Sequence, residues 1–423
     1  MQKSGKYTII RSAAFIFFFA EYIPLAFLPL FIKDIYELNP VSYLGISKQM
    51  MLGLPISSYM LGVTIFVLVA GSLLESISLL RSFVMFGVLL VIGSALSAFS
   101  QNVLQFIIFR FISGMGYGGV LVSGITLIIQ NTDLTDRTTG FGHWLAGSSS
   151  ATVCAVPVGS VIASYLGFRT AMLFSALFSV VFILFVLYVA YRLQLKWLFS
   201  KHKEDISGWS DGVEIGSRAK FKLGHLFGVF KDINVFSALI FASIPVQIAF
   251  IGFLHYAFPL YLDSIGISQS NIGRFITLYG LACIIFNPLV SKWSDRLGNE
   301  RIFMIIGNFI IGLVLISFSF AKNIYMILVV ISIVGMGNAF VTSTTGTYIT
   351  LSREARRIGA SRLSSIFKSF QKLGTIAGPM LIGILISIYG YIEAMIAIGV
   401  MILFGLIFFI MFSRRLRRQK EAD

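Results

Sequence analysis

The chain has 423 residues, of which 57% are hydrophobic and only 12% charged, and its formal net charge is +15. A soluble domain would carry about a quarter charged residues, so this composition excludes an ordinary soluble globular protein. The positive charge does not indicate nucleic-acid binding, because basic residues in so apolar a chain are expected in the loops that flank membrane spans.

Apolar stretches long enough to cross a bilayer, which takes roughly 20 residues, recur from one end of the chain to the other. Because lipid offers no water to satisfy backbone groups, each stretch is predicted to be a helix. The fold class is therefore an all-α membrane protein with twelve transmembrane helices, numbered here as spans 1 to 12. The predicted spans are residues 9–32, 52–74, 82–100, 103–128, 142–164, 169–191, 235–260, 272–292, 301–320, 324–348, 363–388 and 392–413.

Lysine and arginine collect in alternate loops. The richer set of loops comprises residues 3–11, 192–231, 292–301, 353–362 and the tail 414–420. By the positive-inside rule, these loops and both termini are predicted to be cytoplasmic. The expected location is the plasma (inner) membrane, crossed many times.

Two charged residues lie inside predicted spans of the first half. Span 1 contains Glu21 near its middle, and span 4 contains Arg110. They lie roughly 16 Å and 10 Å from the predicted outer ends of their spans, so their long side chains could meet. Charges in lipid are costly and commonly functional, so we predict that Glu21 carries a coupling proton and Arg110 sets its affinity. A purely structural pair, or an Arg110 side chain that extends to the interface, remains the alternative.

Small residues and prolines mark the predicted helix-packing positions. Small side chains let membrane helices approach closely, although ordinary packing explains them equally well. The predicted packing residues are Gly114 and Gly118 in span 4, Pro157 in span 5, and Gly374, Gly378 and Pro379 in span 11.

Charged residues where spans 2 and 8 enter the predicted cytoplasm form candidate gates. An acidic residue there can pair with a cation and a neighbouring helix N-terminus, and so hold a gate closed. A charge cluster that only fixes topology is the alternative. The candidate gate residues are Glu75 and Arg81 in the first half and Asp295, Arg296 and Arg301 in the second.

Polar residues in the second half suggest contacts with a substrate. Lys368 and Lys372 are one helical turn apart in span 11, so they share a face and could bind an anion. For His255, an ordinary structural role is the alternative. The remaining candidates for substrate binding are Tyr22, Gln247, His255, Tyr256, Arg274 and Asn338.

The chain repeats itself at an offset of 220 to 223 residues. Gly114-Met115-Gly116 recurs as Gly335-Met336-Gly337, and Pro157 corresponds to Pro379. Such repeats are typical of secondary transporters built from two homologous halves. The predicted division is an N-terminal six-helix bundle over 1–191, a cytoplasmic linker over 192–234, and a C-terminal six-helix bundle over 235–423 with a basic tail. Within the linker, 221–227 could form an interfacial helix or a solvated connector.

These motifs resemble those of the major facilitator superfamily. The loop Asp295-Arg296-Leu297-Gly298-Asn299-Glu300-Arg301 resembles its loop signature, and Arg110 with the glycines that follow resembles its span 4 motif. The stretch from Glu21 to Pro29 is similar to span 1 of its proton-coupled drug and sugar exporters. The resemblance implies two pseudo-symmetric six-helix bundles, alternating access, and a central cavity lined by spans 1, 4, 7 and 10.

The predicted function is secondary active transport, most simply proton-coupled export of an amphiphilic compound or sugar. The partners expected are a small-molecule substrate, the coupling proton and the lipid bilayer, with the protein acting as a monomer. No cofactor, metal, nucleic acid or enzymatic activity is expected, because the sequence contains no phosphate-binding loop or metal-ligand cluster. The alternatives are uptake or exchange of an organic anion, and a non-transporting membrane sensor on a transporter scaffold.

Overall fold

The computed structural model describes residues 3–40, 46–74, 76–131, 137–192, 228–320, 323–414 and 416. Within these residues, twelve helices are long and apolar enough to cross a membrane, which confirms the predicted twelve-span all-α fold. Residues 193–227, which include most of the predicted linker and its possible interfacial helix, lie outside the described residues. The predicted gate residue Glu75 lies outside them as well.

The observed helices follow the predicted spans closely, and several extend beyond them. Spans 1 to 6 correspond to Lys3–Tyr22 with Leu28–Leu38, Lys48–Leu74, Leu79–Ala98, Val103–Asn131, Arg137–Leu166 and Phe168–Arg192. Spans 7 to 12 correspond to Ile233–Ser264, Gln269–Leu297, Glu300–Ile316, Ile324–Thr350, Ala360–Tyr389 and Tyr391–Phe412. Short helices at Gly228–Lys231 and Arg353–Ile358 precede spans 7 and 11.

Span 1 is interrupted directly after Glu21. Its first helix ends at Tyr22, a 3₁₀ turn occupies Ile23–Ala26, and a new helix begins at Leu28. Pro24 and Pro29 lie at the first positions of the two segments after the break, where a missing backbone N–H costs least. Glu21 therefore lies in the last turn of a helix, and the second helix includes residues 33–38 of the predicted outer loop.

Span 7 departs from α-helical geometry in two places. Ala238–Ser243 and Ala249–Ala257 are π-helical, with hydrogen bonds that close turns one residue longer than those of an α-helix. One additional residue in a turn rotates everything beyond it by roughly 100° relative to a continuous α-helix. His255 and Tyr256, at the end of the second segment, therefore occupy a face that α-helical periodicity does not predict.

Close backbone contacts hold neighbouring spans together at glycines in both halves. In the first half, a Cβ at Gly114 would overlap the Tyr59 carbonyl oxygen of span 2. In the second half, a Cβ at Gly335 would lie 2.7 Å from the Tyr279 carbonyl oxygen of span 8. The two glycines are 221 residues apart and the two tyrosines 220, so the repeat in sequence is also a repeat in packing.

The described residues fall into two compact units. One comprises the described residues within Met1–Glu204 and Phe258–Thr277, and the other comprises the described residues within Asp205–Ala257 and Leu278–Asp423. The end of span 7 and the beginning of span 8 thus pack with the first six spans. The division into bundles 1–191 and 235–423 remains a prediction.

Candidate functional site

Glu21 lies in the interior of the first unit, with only 5% of its surface exposed. The Tyr59 hydroxyl, from span 2, donates a short hydrogen bond to its Oε2 atom. Among the described residues, no group donates a hydrogen bond to the other oxygen, Oε1. The carboxyl group therefore has one oxygen bonded and one available to a proton or to a donor from a ligand.

Arg110 is also buried, at 4% exposure, and it contacts the same tyrosine. Its Cζ atom lies 4.1 Å from the centroid of the Tyr59 ring, a cation–π arrangement worth about 2 kcal/mol where water is excluded. Among the described residues, Glu21 and Arg110 do not form a direct ion pair, although each lies within the electrostatic field of the other. Tyr59 therefore connects the two charged residues, whose side chains the sequence predicts to be within reach of each other.

The packing of three spans places these side chains together. Gly114 lets the backbone of span 4 approach the backbone at Tyr59. Arg110 lies one helical turn before Gly114, so it faces the same neighbour. Glu21 reaches the pair from the last turn of the first helix of span 1. The close approach at Gly114 therefore helps to position Arg110 against Tyr59.

Aromatic and hydroxyl side chains surround the charged residues. The Tyr22 hydroxyl lies 3.4 Å from the Ser148 hydroxyl of span 5. The Tyr117 ring lies 5.9 Å from the Tyr59 ring and stacks on Phe17 at 5.1 Å. A mostly apolar surround with a few polar groups is typical of sites that bind small amphiphilic molecules.

Sequence reasoning identified Glu21, Arg110 and Tyr22 as candidates but missed Tyr59, Tyr117 and Ser148. An aromatic or a serine in a membrane span is ordinary, whereas a charge there stands out. One signal could have identified Tyr59: its counterpart Tyr279 lies 220 residues later, within one residue of the offset of the repeated glycines.

The two lysines of span 11 lie in the second unit. Lys372 is half-buried and Lys368 is exposed. Among the described residues, neither ammonium group has an acidic partner. A lysine without a counter-charge inside a membrane span is costly, so an anion from outside the protein would stabilise it.

The other predicted substrate contacts in the second unit lie in two spans, 7 and 10. Gln247 packs against span 11. A Cβ added at Gly374 of that span would lie 3.0 Å from the Gln247 Cβ atom. The His255 ring packs edge-on against Phe250, with centroids 5.1 Å apart, and among the described residues its Nδ1 has no hydrogen-bond partner. Tyr256 is fully buried.

Asn338 of span 10 lies near Cys283 of span 8. Its Nδ2 atom is 3.9 Å from the Cys283 Sγ atom, a weak hydrogen bond. Arg274, at the beginning of span 8, belongs to the first unit instead. It is exposed, and its Nη1 donates to Asn271 Oδ1 at 3.3 Å. The predicted substrate contacts therefore do not form a single cluster within either unit.

The predicted packing residues of span 11 contact span 7. A Cβ at Gly378 would lie 2.9 Å from the Ile248 carbonyl oxygen, and one at Gly374 would lie 2.8 Å from that of Ile244. Pro379 is buried inside span 11, and Pro157 lies inside span 5, half-buried. The backbones of spans 7 and 11 approach closely at these two glycines, and the packing role of the glycines and prolines stays a prediction.

The predicted gate residues that the structure describes lie at the beginning of span 3, the end of span 8 and the beginning of span 9. Arg81, Asp295 and Arg296 are exposed. Arg301 binds the end of span 12, where its Nε donates to Ser413 Oγ at 2.8 Å and its Nη2 donates to the Ile410 carbonyl at 2.7 Å. These bonds join the beginning of span 9 to the end of span 12 within one unit.

A cluster of charged residues in the first unit lies at the end of span 1, the beginning of span 2 and the end of span 7, on the predicted outer side. Lys33 pairs with Asp263 at 2.7 Å, and Lys48 pairs with Glu37 at 2.9 Å. The hydrogen bond from Lys48 lowers the pKa of Glu37. Partial burial, and then the nearby Glu37 carboxylate, raise the pKa of Asp34. Among the described residues, no group of three histidine, cysteine, aspartate or glutamate side chains could hold a metal ion.

A protein-family model matches nearly the whole chain. The model described as Major Facilitator Superfamily matches residues 12–261 and residues 241–423. The first of these matches includes the spans that carry Glu21, Tyr59 and Arg110.

Individual relatives are more distant. The chain is similar to the multidrug resistance protein MdtG of Salmonella choleraesuis (strain SC-B67), with 23% identity over 339 residues that cover 79% of this chain and 77% of the relative. It is also similar to MdtG of Klebsiella pneumoniae (strain 342), with 22% identity over 345 residues that cover 81% and 77%. A crystal structure of a bacterial homologue of the human lysosomal transporter Spinster, inward-facing and unoccupied, aligns over 100% of both chains. The TM-score is 0.75 at 14% identity, which shows a shared fold.

Proposed function

The chain belongs to the Major Facilitator Superfamily and is a secondary transporter, and we propose that it exports a small amphiphilic molecule in exchange for protons. In this proposal Glu21 is the proton carrier, and Arg110 adjusts its affinity through Tyr59. The protein acts as a monomer with both termini in the cytoplasm.

The state of Glu21 is the observation that carries the proposal. A proton carrier must be able to hold its proton and to lose it at similar cost. Burial disfavours the carboxylate, whereas the hydroxyl of Tyr59 and the nearby guanidinium of Arg110 favour it. Because Oε1 is without a donor among the described residues, a proton or a substrate donor can bind there without breaking the bond to Tyr59.

The surroundings of Glu21 and the relatives support an amphiphilic cargo. Rings from spans 1, 2 and 4 surround the carboxyl group, and such rings suit molecules that combine an apolar body with a polar group. The relatives of Salmonella and Klebsiella are named as multidrug resistance proteins. Export of a sugar is the less favoured form of the proposal, because these relatives are named for resistance to drugs.

Proton movement in proteoliposomes tests the proposal directly. The full chain would be reconstituted with a pH-sensitive dye inside, and cationic drugs, sugars and organic anions would be added in turn. We expect a proton flux with an amphiphilic class, and loss of at least roughly 90% of it in Glu21→Gln. Glu393→Gln, which changes an exposed carboxylate in span 12, is the matched control and should retain the flux. A full flux in Glu21→Gln would reject Glu21 as the carrier.

Uptake or exchange of an organic anion is the second candidate function. The half-buried Lys372, which has no acidic partner among the described residues, is the observation that favours it. In the same liposomes, Lys372→Ala should then abolish transport of anions and spare a lipophilic cation. Lys231→Ala, at an exposed lysine before span 7, is the control. Anion transport that survives Lys372→Ala would exclude this candidate.

A further inference from the structure

A small cavity lies between spans 1 and 5, apart from the residues around Glu21. Its volume is about 320 Å³. It is lined by Tyr7, Thr8, Arg11, Ser12 and His143. The four residues of span 1 recur at the spacing that places side chains on one face of a helix. Arg11 precedes Glu21 by ten residues, so the two sites are separated by roughly 15 Å along the helix.

Close packing of the two helices forms the base of this cavity. A Cβ at Gly147 of span 5 would lie 2.8 Å from the Ala14 Cβ of span 1. This glycine follows His143 by one turn, and Ala14 follows Arg11 by nearly one turn, so the helices touch just beyond the cavity. The cavity therefore lies near the beginnings of both helices, on the predicted cytoplasmic side.

The lining is chemically one-sided. It offers the guanidinium of Arg11, the hydroxyls of Thr8 and Ser12, and the phenol and imidazole of Tyr7 and His143. Among these five described residues none carries a carboxylate. A guanidinium beside hydroxyl groups is the arrangement by which proteins bind phosphate and carboxylate. The ligand that this lining favours is therefore an anion.

The aromatic pair gives the cavity a flat apolar wall. The rings of Tyr7 and His143 are stacked, with centroids 5.0 Å apart and planes 11° from parallel. Such a stack leaves a ring face or edge to contact carbon atoms next to the anionic group. A free inorganic ion would not use that wall, whereas the carbon atoms joined to a phosphate or carboxylate would.

The size of the cavity limits what it can hold. Pockets for whole drug-sized ligands range from about 300 to 1,000 Å³, so this one is at the lower limit. It accommodates a head group and a few adjoining carbons, while a longer apolar chain would have to extend outside it. We propose that the cavity lined by Tyr7, Arg11 and His143 binds the compact anionic head group, phosphate or carboxylate, of an amphiphile. This proposal does not depend on the direction or coupling of transport.

Binding of a short-chain anionic lipid tests the proposal. The full chain in a neutral detergent would be titrated with dihexanoylphosphatidylglycerol by calorimetry, with zwitterionic dihexanoylphosphatidylcholine as the comparison ligand. We expect the anionic lipid to bind the wild-type protein, and Arg11→Gln to bind it about tenfold or more weakly. Arg11→Lys keeps the charge but loses the planar fork, so it should recover part of the affinity.

Arg192→Gln is the matched control, because Arg192 is an exposed arginine at the end of span 6 and outside the cavity. Equal binding by Arg11→Gln and wild type, or an equal loss in Arg192→Gln, would overturn the proposal. Competition by inorganic phosphate or hexanoate distinguishes the sources of the ligand. Strong competition by hexanoate indicates a soluble carboxylate amphiphile, and its absence indicates a lipid head group. Competition by inorganic phosphate as strong as that of the lipid would show that the adjoining carbon atoms are not recognised, and would overturn the proposal.

Discussion

Tyr59 shows how much one side chain can determine at the centre of the first unit. Its hydroxyl donates a hydrogen bond to Glu21 while its ring contacts Arg110. The carboxyl group and the guanidinium are therefore linked through Tyr59, without a direct ion pair. A hydroxyl has a single proton to donate, and here Glu21 accepts it. The two contacts use different parts of the tyrosine, so substitutions can separate them.

Tyr59→Phe should remove the hydrogen bond and keep the ring against Arg110. We expect the unfolding free energy in mixed micelles to fall by about 1–3 kcal/mol, because Glu21 loses its donor. In a Glu21→Met background, which has no acceptor for the hydroxyl, the same change should cost less than half as much. Equal costs in the two backgrounds would mean that Tyr59 acts on stability independently of Glu21. Tyr59→Leu, which loses the ring as well, should cost more than Tyr59→Phe.

At the level of elements, glycine contacts determine the spacing of neighbouring spans. Gly114 faces Tyr59 in the first half, as Gly335 faces Tyr279 in the second. The equivalent tyrosines have different neighbours, because Tyr279 stacks on Phe250 with centroids 5.8 Å apart, whereas Tyr59 binds two charged groups. The repeat therefore preserves helix spacing, and the charged site is a specialisation of the first half.

Gly118→Ala tests the role of this spacing. A Cβ there would lie 2.7 Å from the Val63 carbonyl oxygen and 3.2 Å from the Val67 backbone nitrogen. Both obstacles are backbone atoms, so spans 2 and 4 would have to separate, and we expect a loss of about 1–3 kcal/mol in unfolding free energy.

Gly142→Ala is the matched control for this substitution. It lies inside the helix of span 5, and no described atom would lie within 4 Å of its Cβ. Alanine is the better helix former, so the change should leave stability unchanged or raise it by about 1 kcal/mol at most. Similar losses in both variants would show that helix propensity, and not spacing, dominates.

For the whole molecule, the fold could be predicted because membrane spans are encoded in long apolar stretches. Twelve spans and the repeat could be predicted from the sequence, and the part of the chain that the structure describes contains twelve such helices. The interruption of span 1 could have been read from Pro24 and Pro29. The π-helical turns of span 7 could not, because they arise from packing and leave no simple pattern in the sequence.

Only part of the site around Glu21 could be predicted from the sequence, because most of its contacts depend on how the spans pack. Glu21 and Arg110 could be identified because charges are costly in lipid. Tyr59 is 38 residues from Glu21 in sequence, and the approach of spans 2 and 4 at Gly114 places it beside Arg110. The cavity around Arg11 depends on the packing of span 5 against span 1. The sequence alone therefore could not predict that His143 lines the same cavity as Arg11.

The orientation of the whole chain is open to a direct test. Both native cysteines, Cys154 and Cys283, would first be changed to alanine. In intact cells, a membrane-impermeant maleimide should label Gln101→Cys, an exposed position between spans 3 and 4, nearly completely. Lys231→Cys, exposed before span 7, should be labelled at background level until the membrane is permeabilised. The reverse pattern would place both termini outside.

The glycine contacts have a consequence for entropy. A contact between two backbones restricts no side-chain rotamer, whereas burying a leucine or a methionine gives up part of its rotational freedom. The spacing at Gly114 and Gly335 is therefore achieved almost without ordering side chains. Warming increases the weight of every entropy that folding has lost, so these contacts should weaken less with temperature than interfaces made by large side chains. In each half, the glycine contacts are then the part of the interface best able to keep its spacing as the temperature rises.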